Sequence, residues 1–221
     1  PPVLEEAAAT EEIEGPRIDI PQNPRVTSFV DLLTGRLRDF LEDGLTRGAK
    51  YLPMIQNVFR AEGLPLDLAY VPLVESAFRP DAVSRAKARG LWQFMAGTAI
   101  ENGLQRDWYI DERAEPEKAT RAAAKYLKSL YATFGDWQLA LASYNAGPGR
   151  VRQWLGSWTF SEPAEFIEGI PFNETRDYVK KVLSNATLYG AIISGQPQSL
   201  KARLGRVGPQ AKGAPDNADI P

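Results

Sequence analysis

The sequence predicts an all-α fold, and three observations support that prediction. Apolar residues recur at three- and four-residue steps through most of the chain between residues 28 and 196. Few stretches alternate between apolar and polar residues as half-buried strands do, and no internal repeat of fixed period is present. Glycine and proline separate the helical segments, so the connections between them are expected to be short.

The two ends of the chain differ in composition from this helical part. Residues 1–27 are proline-rich and acidic, and residues 197–221 are rich in proline, glycine, lysine and arginine. Such segments bury too little apolar surface to form packed elements. We therefore expect one domain over residues 28–196, preceded by a tail and followed by a mobile extension.

Three helices are predicted in the first part of the domain, over residues 28–45, 51–63 and 66–78. The apolar side chains of each recur on one face, which we expect to be buried. Gly63 favours the end of the second helix because glycine readily adopts the left-handed conformation. Pro72 is expected to kink or restart the third helix because proline lacks an amide proton.

Further helices are predicted over residues 91–104, 116–135, 136–147, 148–156 and 173–194. The alanine-rich helix is opened by Pro116 and closed by Gly135, the positions that these two residues favour. One face of the last helix carries apolar and aromatic residues, which we expect to be buried: Tyr178, Val182, Leu183, Ala186 and Tyr189.

Composition restricts the chemistry that this chain can perform. Among 221 residues there is neither histidine nor cysteine, which excludes thiol nucleophiles, histidine bases and the usual zinc sites. The formal net charge of -2 gives no basic footprint for nucleic acid. No apolar run is long enough to span a bilayer. An acid/base enzyme of this composition must use carboxylates, tyrosines or lysines.

Glu75 is the first candidate catalytic residue. It stands in the segment VPLVESAF, between the apolar pairs Leu73–Val74 and Ala77–Phe78. An apolar setting disfavours the charged form of a carboxylate and raises its pKa. A carboxylic acid that is protonated near neutral pH can donate a proton to the leaving oxygen of a glycosidic bond. The alternative, a solvated glutamate at a helix end, stays open on this segment alone.

The segment RPDAVSRAKARGLWQFM supplies a second candidate, Gln93. Gly90 permits a backbone conformation or a close approach that other residues resist. We expect Gln93 on the first turn of the following helix, where its amide can donate and accept hydrogen bonds with N-acetyl and hydroxyl groups of a sugar. The alternative is a surface glutamine beside a core tryptophan, Trp92.

Two later segments carry tyrosines of interest. In LASYNAGPGRV, Asn145 and Gly147 give a helix-stop signal, and a helix end there can expose Tyr144 and the Asn145 amide to a groove. In IPFNETRDYVKKV, Tyr178 lies on the apolar face of the last helix, where a buried hydroxyl needs a partner. Tyr178 is therefore either a core tyrosine or a residue whose hydroxyl points at the acid.

Four blocks in this order resemble the family 1 lytic transglycosylases of bacterial cell walls: ESAFRPDAVS, GLWQFM, SYNAG and NETRDYV. The tryptophan of GLWQFM and the leading GLPLDLAYVPLVESAF are most similar to the membrane-bound lytic murein transglycosylase D branch. The resemblance covers most of the chain, from residue 28 to residue 195. It implies a lysozyme-like, SLT-like helical fold of the goose type, with a groove for glycan strands.

The resemblance also implies a reaction. Glu75 would be the sole catalytic carboxylate and would protonate the oxygen of the MurNAc–GlcNAc β-1,4 bond. It would then draw the proton from the C6 hydroxyl, which closes on C1 and yields a 1,6-anhydro end. An intramolecular nucleophile has a high effective concentration, so no enzyme-held water is required. Residues that bind the sugar or orient the acid would be Ser84, Gln93, Tyr144, Asn145 and Tyr178.

The same resemblance implies peptidoglycan glycan strands as the partner, with no cofactor, no metal and no nucleic acid. It implies a periplasmic location and leaves open an outer-membrane anchor, which this sequence does not show. Two positions depart from the family pattern. Lys87 stands where glycine is usual and is expected to border the groove, and Ala96 stands where proline is common.

Two alternative functions stay open. A hydrolytic muramidase on the same scaffold needs a second carboxylate or an ordered water opposite Glu75. Asp81 and Asp111 are the nearest acidic candidates, and we expect both to have structural roles because both lie in turn-like contexts. A non-catalytic glycan-binding module is the second alternative, although such a module would have no need to keep the acid.

Overall fold

The computed structural model describes residues 38–157 and 163–194. Within those residues the chain forms nine α-helices and two short 3₁₀ segments, with no strand beyond isolated bridges. The helices are α1 (Arg38–Gly48), α2 (Leu52–Glu62), α3 (Val71–Ser76), α4 (Ala96–Glu101), α5 (Pro116–Phe134), α6 (Trp137–Ala146), α7 (Pro148–Ser157), α8 (Pro163–Gly169) and α9 (Asn173–Ser194). The 3₁₀ segments are Leu66–Tyr70 and Glu112–Ala114. The predicted all-α class is confirmed.

The predicted helix ends agree with the structure where glycine or proline determines them. Gly63 and Gly135 each have a φ of 68° and follow the last residues of α2 and α5. Pro116 is the first residue of α5. The prediction that Pro72 restarts its helix is also confirmed, because a 3₁₀ segment gives way to α3 one residue earlier.

The helix predicted over residues 91–104 is wrong in its first part, since α4 begins only at Ala96. Gly90 (φ 86°) and Gln93 (φ 48°) have left-handed backbone conformations, which a right-handed helix excludes. The chain instead turns tightly, and the backbones of Arg89 and Phe94 exchange two hydrogen bonds of 3.1 Å. The apolar side chains between these two residues are buried although they belong to a turn. Their spacing therefore resembles that of a buried helix face. Helix α8 was not predicted.

One hydrophobic core joins the helices, with α5 near its centre. Ala119, Ala123 and Leu127 of α5 are fully buried, and this helix packs against α2 and α6. Small side chains allow neighbouring helices to approach closely. Trp92 is also fully buried, and its indole N–H donates to the Thr120 hydroxyl at 2.9 Å. The core tryptophan therefore has its polar atom satisfied.

Helix α9 closes the fold over the segment that carries Glu75. It packs on α3, α6, α8 and the 3₁₀ segment Leu66–Tyr70. Val179, Val182 and Leu183 of α9 are buried in the core. Because Tyr178 precedes this buried stripe, α9 brings it to α3 from a distant part of the sequence.

Some sequence predictions fall outside the described part of the chain. These are the tails at residues 1–27 and 197–221 and the first ten residues of the helix predicted from residue 28. The burial expected for Tyr189 belongs with them, since only its backbone is described. Across residues 38–157 and 163–194, no helix combines the length and apolar character that crossing a membrane would require.

Candidate active site

Glu75 lies on the last turn of α3, and the end of that helix is tightly defined. The N–H of Ala77 donates to the Leu73 carbonyl and that of Phe78 to the Pro72 carbonyl, both at 3.1 Å. Ala77 (φ 51°) and Phe78 (φ 57°) are both left-handed although neither is glycine. Such conformations cost about 1–3 kcal/mol each and persist only where the surroundings enforce them. Here Phe78 is fully buried, which holds the turn in place.

Ser76, the residue after Glu75, connects α3 to the loop that carries Gln93. Its hydroxyl lies 2.9 Å from the Leu91 carbonyl oxygen and 3.2 Å from that of Pro72. The same hydroxyl accepts the backbone N–H of Arg79 at 3.2 Å. The carboxylate-bearing helix and the loop beside it are therefore joined directly.

Gln93 occupies the tight turn before α4, not the first turn of a helix as the sequence predicted. Its side-chain amide nitrogen donates to the carbonyl oxygens of Gly90 at 2.8 Å and Ala82 at 3.2 Å. An amide nitrogen has only two protons, so both are used within the loop. The side-chain carbonyl oxygen is the group that can meet a ligand, and the expected donor role is corrected.

Gly90 fits this turn for a second reason besides its backbone angle. A Cβ atom built there would lie 1.8 Å from the carbonyl oxygen of Arg113. Any side chain at this position would therefore force two backbone segments apart. The prediction of a special backbone role for Gly90 is confirmed.

Tyr144 and Asn145 lie at the C-terminal end of α6 and are both held by hydrogen bonds. The Tyr144 hydroxyl donates to the Trp92 carbonyl oxygen at 2.9 Å, and its ring lies 5.4 Å from that of Tyr126. The side-chain oxygen of Asn145 accepts the Thr175 hydroxyl at 2.8 Å, which connects α6 to α9. Both side chains are thus fixed before any ligand arrives.

Ser84 completes the predicted set from the loop that precedes Gly90. Its hydroxyl accepts the N–H of Ala88 at 3.0 Å, and the backbones of the two residues are joined at 2.9 Å. Because the hydroxyl oxygen accepts this bond, its proton is available for another acceptor.

The half-buried Glu75 carboxyl has its pKa raised to about 7. The largest cause is burial, which removes the charged form from water. Hydrogen bonding from the Tyr178 hydroxyl acts in the opposite direction and lowers the pKa, while the charge of Glu174 raises it. The raised value leaves a substantial protonated fraction near neutral pH, as the sequence predicted.

The hydroxyl of Tyr178 is buried and faces Glu75. Among the described residues it has no partner in regular hydrogen-bonding geometry, so its contact with the carboxyl is loose. Hydrogen bonds of this kind are often long in the free form of an enzyme and tighten when substrate binds. Burial, followed by the charge of Glu75, raises the pKa of this tyrosine well above its usual value.

All six predicted site residues line one open cavity of about 580 Å³. This volume lies within the range of roughly 300–1,000 Å³ that is usual for ligand pockets. The six residues are Glu75, Ser84, Gln93, Tyr144, Asn145 and Tyr178. The fold therefore brings together residues from four separate sequence blocks, and we call this cavity the groove.

Further groove residues were not predicted, notably Glu174 and Lys181 on α9. Together with Tyr178 they stand at steps of four and three residues, so they share one face of the helix. Helical spacing from Tyr178 would have been the signal for both. Glu174 matters most because its charge acts on Glu75.

The two acidic residues considered as second carboxylates do not line the groove. Asp111 pairs with Arg113 at 2.7 Å and with Arg89 at 3.6 Å. Hydrogen bonding from Arg113, assisted by both positive charges, lowers the pKa of Asp111. Asp81 is exposed and lines a different hollow, beside Arg47 and Arg79. The structural role expected for Asp111 is confirmed.

The two departures from the family pattern have local explanations. Lys87 has a φ of 68°, a conformation that glycine adopts without strain. Its neighbours Ala86 and Ala88 line the groove, so Lys87 borders the groove as expected, although its own side chain is not part of the lining. Ala96 is the first residue of α4, where proline is favoured because its fixed φ suits a helix start.

Comparisons with known proteins agree with this geometry. The Transglycosylase SLT domain family matches residues 54–167, and the Soluble lytic transglycosylase helical domain matches residues 169–198. The fold is thus that of a Transglycosylase SLT domain. The chain belongs to the Transglycosylase SLT domain family.

Curated relatives and a solved structure extend the comparison. A soluble lytic murein transglycosylase of Salmonella typhimurium is 40% identical over 128 residues, which cover 55% of this chain and 20% of that protein. Membrane-bound lytic murein transglycosylase D of Escherichia coli is 31% identical over 191 residues, 83% of this chain and 42% of that protein. This chain therefore spans less than half the length of either relative.

The solved structure is an inactive mutant of lytic transglycosylase Slt from Pseudomonas aeruginosa, in which glutamine replaces a glutamate. It superposes with a TM-score of 0.60 at 33% identity, covering 72% of this chain and 26% of that one. The expected lysozyme-like, SLT-like helical fold is thereby confirmed.

Proposed function

We propose that this chain is a peptidoglycan lytic transglycosylase that cleaves the MurNAc–GlcNAc β-1,4 bond without water. The observation that carries the proposal is the half-buried carboxyl of Glu75, whose pKa is raised to about 7 inside the groove. A protonated acid at that position is what departure of a sugar oxygen requires. Two relatives are named lytic murein transglycosylases, which supports the same substrate.

In the proposed reaction Glu75 first donates its proton to the bridging oxygen. The bond from that oxygen to C1 breaks, and the GlcNAc unit leaves with a free hydroxyl at C4. The C6 oxygen of the MurNAc unit then bonds to C1, and its proton passes to the Glu75 carboxylate. The acid is regenerated, and the product is a 1,6-anhydro end that is lighter by one water than a hydrolysis product.

The other groove residues assist this reaction by position. Tyr178 steadies the ionised form of Glu75 between the two steps, since its hydroxyl already lowers the pKa of that carboxyl. The free proton of Ser84, the carbonyl oxygen of Gln93 and the amide nitrogen of Asn145 offer one acceptor and two donors to the sugar. The rings of Tyr144 and Tyr126 form an apolar wall.

The substrate implies where the protein works. Peptidoglycan strands lie in the periplasm, and the names of the relatives include both a soluble and a membrane-bound murein transglycosylase. We therefore assign this chain to the periplasm.

One observation favours a second candidate function, a hydrolytic muramidase. Glu174 is a second carboxylate on the groove wall, and its charge reaches Glu75. In inverting glycosidases a second carboxylate activates the attacking water. Replacing Glu174 by glutamine should leave the transglycosylase reaction largely intact, whereas it would abolish a hydrolysis that depends on this residue as base.

The test of the proposed function is digestion of purified cell-wall sacculi by wild type and by Glu75→Gln. We expect the variant to release soluble fragments at least roughly 100-fold more slowly, because general acid catalysis contributes about that much or more. Asp81→Asn is the matched control, since this exposed carboxyl lies outside the groove. Full activity of Glu75→Gln would contradict the proposal.

A further inference from the structure

The loop between α4 and the second 3₁₀ segment carries two aromatic residues with no role in the core. Trp108 and Tyr109 are each 92% exposed, the highest exposure among the large hydrophobic residues that the structure describes. A large aromatic ring in water forgoes the stabilisation that burial provides. Their presence at a loop tip therefore indicates a surface that meets a partner.

The shape of this loop is defined by its own hydrogen bonds. One carboxylate oxygen of Asp107 accepts the N–H groups of Tyr109 at 2.7 Å and Ile110 at 2.8 Å. At the base, the N–H of Glu112 donates to the Gln105 carbonyl, and the N–H of Gln105 donates to the Glu112 carboxylate. The two rings are thus presented on a preorganised loop, which lowers the entropy cost of binding.

The base of the loop is joined to the groove wall. Asp111 pairs with the buried Arg113 at 2.7 Å. The Arg113 guanidinium in turn donates to the carbonyl oxygens of Phe94 at 3.0 Å and Lys87 at 2.9 Å. Phe94 lines the groove. Trp108 and Tyr109, which we call the aromatic tip, therefore belong to a loop whose base is part of one side of the groove.

The chemistry of the tip suits a sugar ring better than a lipid surface. Indole and phenol each combine an apolar face with one polar group, and a pyranose ring likewise has a C–H face and hydroxyl edges. The segment 105–113 contains two arginines and three carboxylates, so its net charge of -1 gives no attraction to anionic lipid.

We infer that Trp108 and Tyr109 form an outlying subsite that stacks on a sugar of the same glycan strand, beyond the groove. The inference rests on the proposed function, since it concerns the strand that the groove would hold. Such a subsite increases the affinity for long strands and leaves the affinity for short strands unchanged, because only a long strand reaches both the groove and the subsite.

The test measures how affinity depends on strand length. Fluorescently labelled oligomers of N-acetylglucosamine and strands of denuded peptidoglycan, each of defined length, are titrated by anisotropy. The proteins carry Glu75→Gln so that nothing is cleaved. The tip is altered by Trp108→Ala with Tyr109→Ala, and Trp108→Phe with Tyr109→Phe restores the aromatic faces. Phe40→Ala removes an exposed aromatic ring that lines neither the groove nor the loop and serves as control.

With an intact tip we expect affinity to rise with length beyond the strand that fills the groove. The alanine variant should lose that gain, binding long strands roughly 5- to 10-fold more weakly and short strands unchanged. The phenylalanine variant should recover most of the gain. Equal affinity of the alanine variant and its parent for every length would overturn the inference.

Other occupants give other results. If the tip variants lose binding to phosphatidylglycerol vesicles, or lose self-association in sedimentation, while long strands bind as before, the tip contacts a membrane or a second copy and the inference is wrong. Failure of the proposed function is distinguishable. In that case the active form would release either nothing from sacculi, with no oligomer bound by the parent, or reducing-end fragments in place of 1,6-anhydro ones. Failure of the subsite alone leaves the binding of short strands and the 1,6-anhydro products intact.

Discussion

Glu75 combines two properties that rarely occur in one carboxyl. It is withdrawn from water enough to raise its pKa to about 7, yet it lines an open groove that a ligand can enter. The turn after it is held in two successive left-handed conformations, and Ser76 ties it to the neighbouring loop. The cost of that backbone is consistent with a carboxyl whose position matters for chemistry.

The pH dependence of the proposed reaction follows from this carboxyl. As the pH rises through about 7, Glu75 loses the proton that it must donate. We expect kcat/KM to fall above that pH by about tenfold for each further unit, because kcat/KM reports groups of the free enzyme. Initial rates of fragment release from sacculi between pH 5 and pH 9 measure this. A rate that stays level up to pH 9 would disagree with the assignment.

Tyr178→Phe tests the loose contact between the tyrosine hydroxyl and Glu75. The hydroxyl lowers the pKa of the carboxyl, so its removal should move the descending part of the pH profile to higher pH. We also expect kcat to fall by about tenfold, since the ionised form loses a hydrogen bond between the two steps. Tyr131→Phe is the control, because Tyr131 stacks on Trp137 outside the groove. An unmoved profile would mean that Tyr178 only packs.

At the scale of elements, the loop from Gly90 to Phe94 shows where sequence patterns mislead. Its apolar residues have the spacing of a helix face, but they lie in a tight turn that buries them in the core. The helix prediction over residues 91–104 failed there because Gln93, inside the predicted helix, has a left-handed conformation, as does Gly90 immediately before it, and only Gly90 is a glycine. Gln93 gives no such signal, since a positive φ at glutamine is imposed by the surrounding contacts and not by its own preference.

Gly90→Ala tests how strictly this loop is defined. The new Cβ atom would meet the Arg113 carbonyl oxygen at 1.8 Å and would also sit on a φ of 86°. We expect a loss of at least about 2 kcal/mol in the free energy of unfolding. Gly97→Ala is the matched control, because nothing lies within 4 Å of its Cβ position. That change should be neutral or stabilise by up to about 1 kcal/mol, since Gly97 lies in helix α4. Urea unfolding measures the stability of both variants. Equal stabilities would contradict the close contact between Gly90 and the Arg113 carbonyl.

At the scale of the whole molecule, the groove exists because α9 packs across the end of α3. The sequence order predicts the helices but not this contact, since Glu75 and Tyr178 lie far apart in the chain. The residues alone left Tyr178 as either a core tyrosine or a partner of the acid, and the resemblance implied one shared site. The structure brings all six predicted residues to one cavity. Glu174 was missed because its effect on Glu75 arises through space, from helix α9 to helix α3.

Burial of Glu75 also affects the stability of the molecule. The folded pKa of about 7 exceeds the unfolded value of 4.5, so the folded state binds the proton more tightly. Stability therefore falls as the pH rises from about 4.5 through 7, and the whole cost is present above that pH. Glutamine carries no charge, so Glu75→Gln should be more stable than wild type at pH 8, by up to about 3 kcal/mol, and similar to it at pH 4. Urea unfolding at both pH values measures this; a difference that does not change with pH would speak against a buried acid.

The central claim is that one carboxyl suffices because the substrate itself supplies the nucleophile. The most direct measurement is digestion of sacculi by the wild-type chain in water labelled with heavy oxygen, with the products weighed by mass spectrometry. We predict 1,6-anhydro fragments that contain no label, because no water enters the reaction. Fragments with a reducing end that carries one labelled oxygen would contradict the claim and identify a hydrolase, with Glu174 as the first residue to examine.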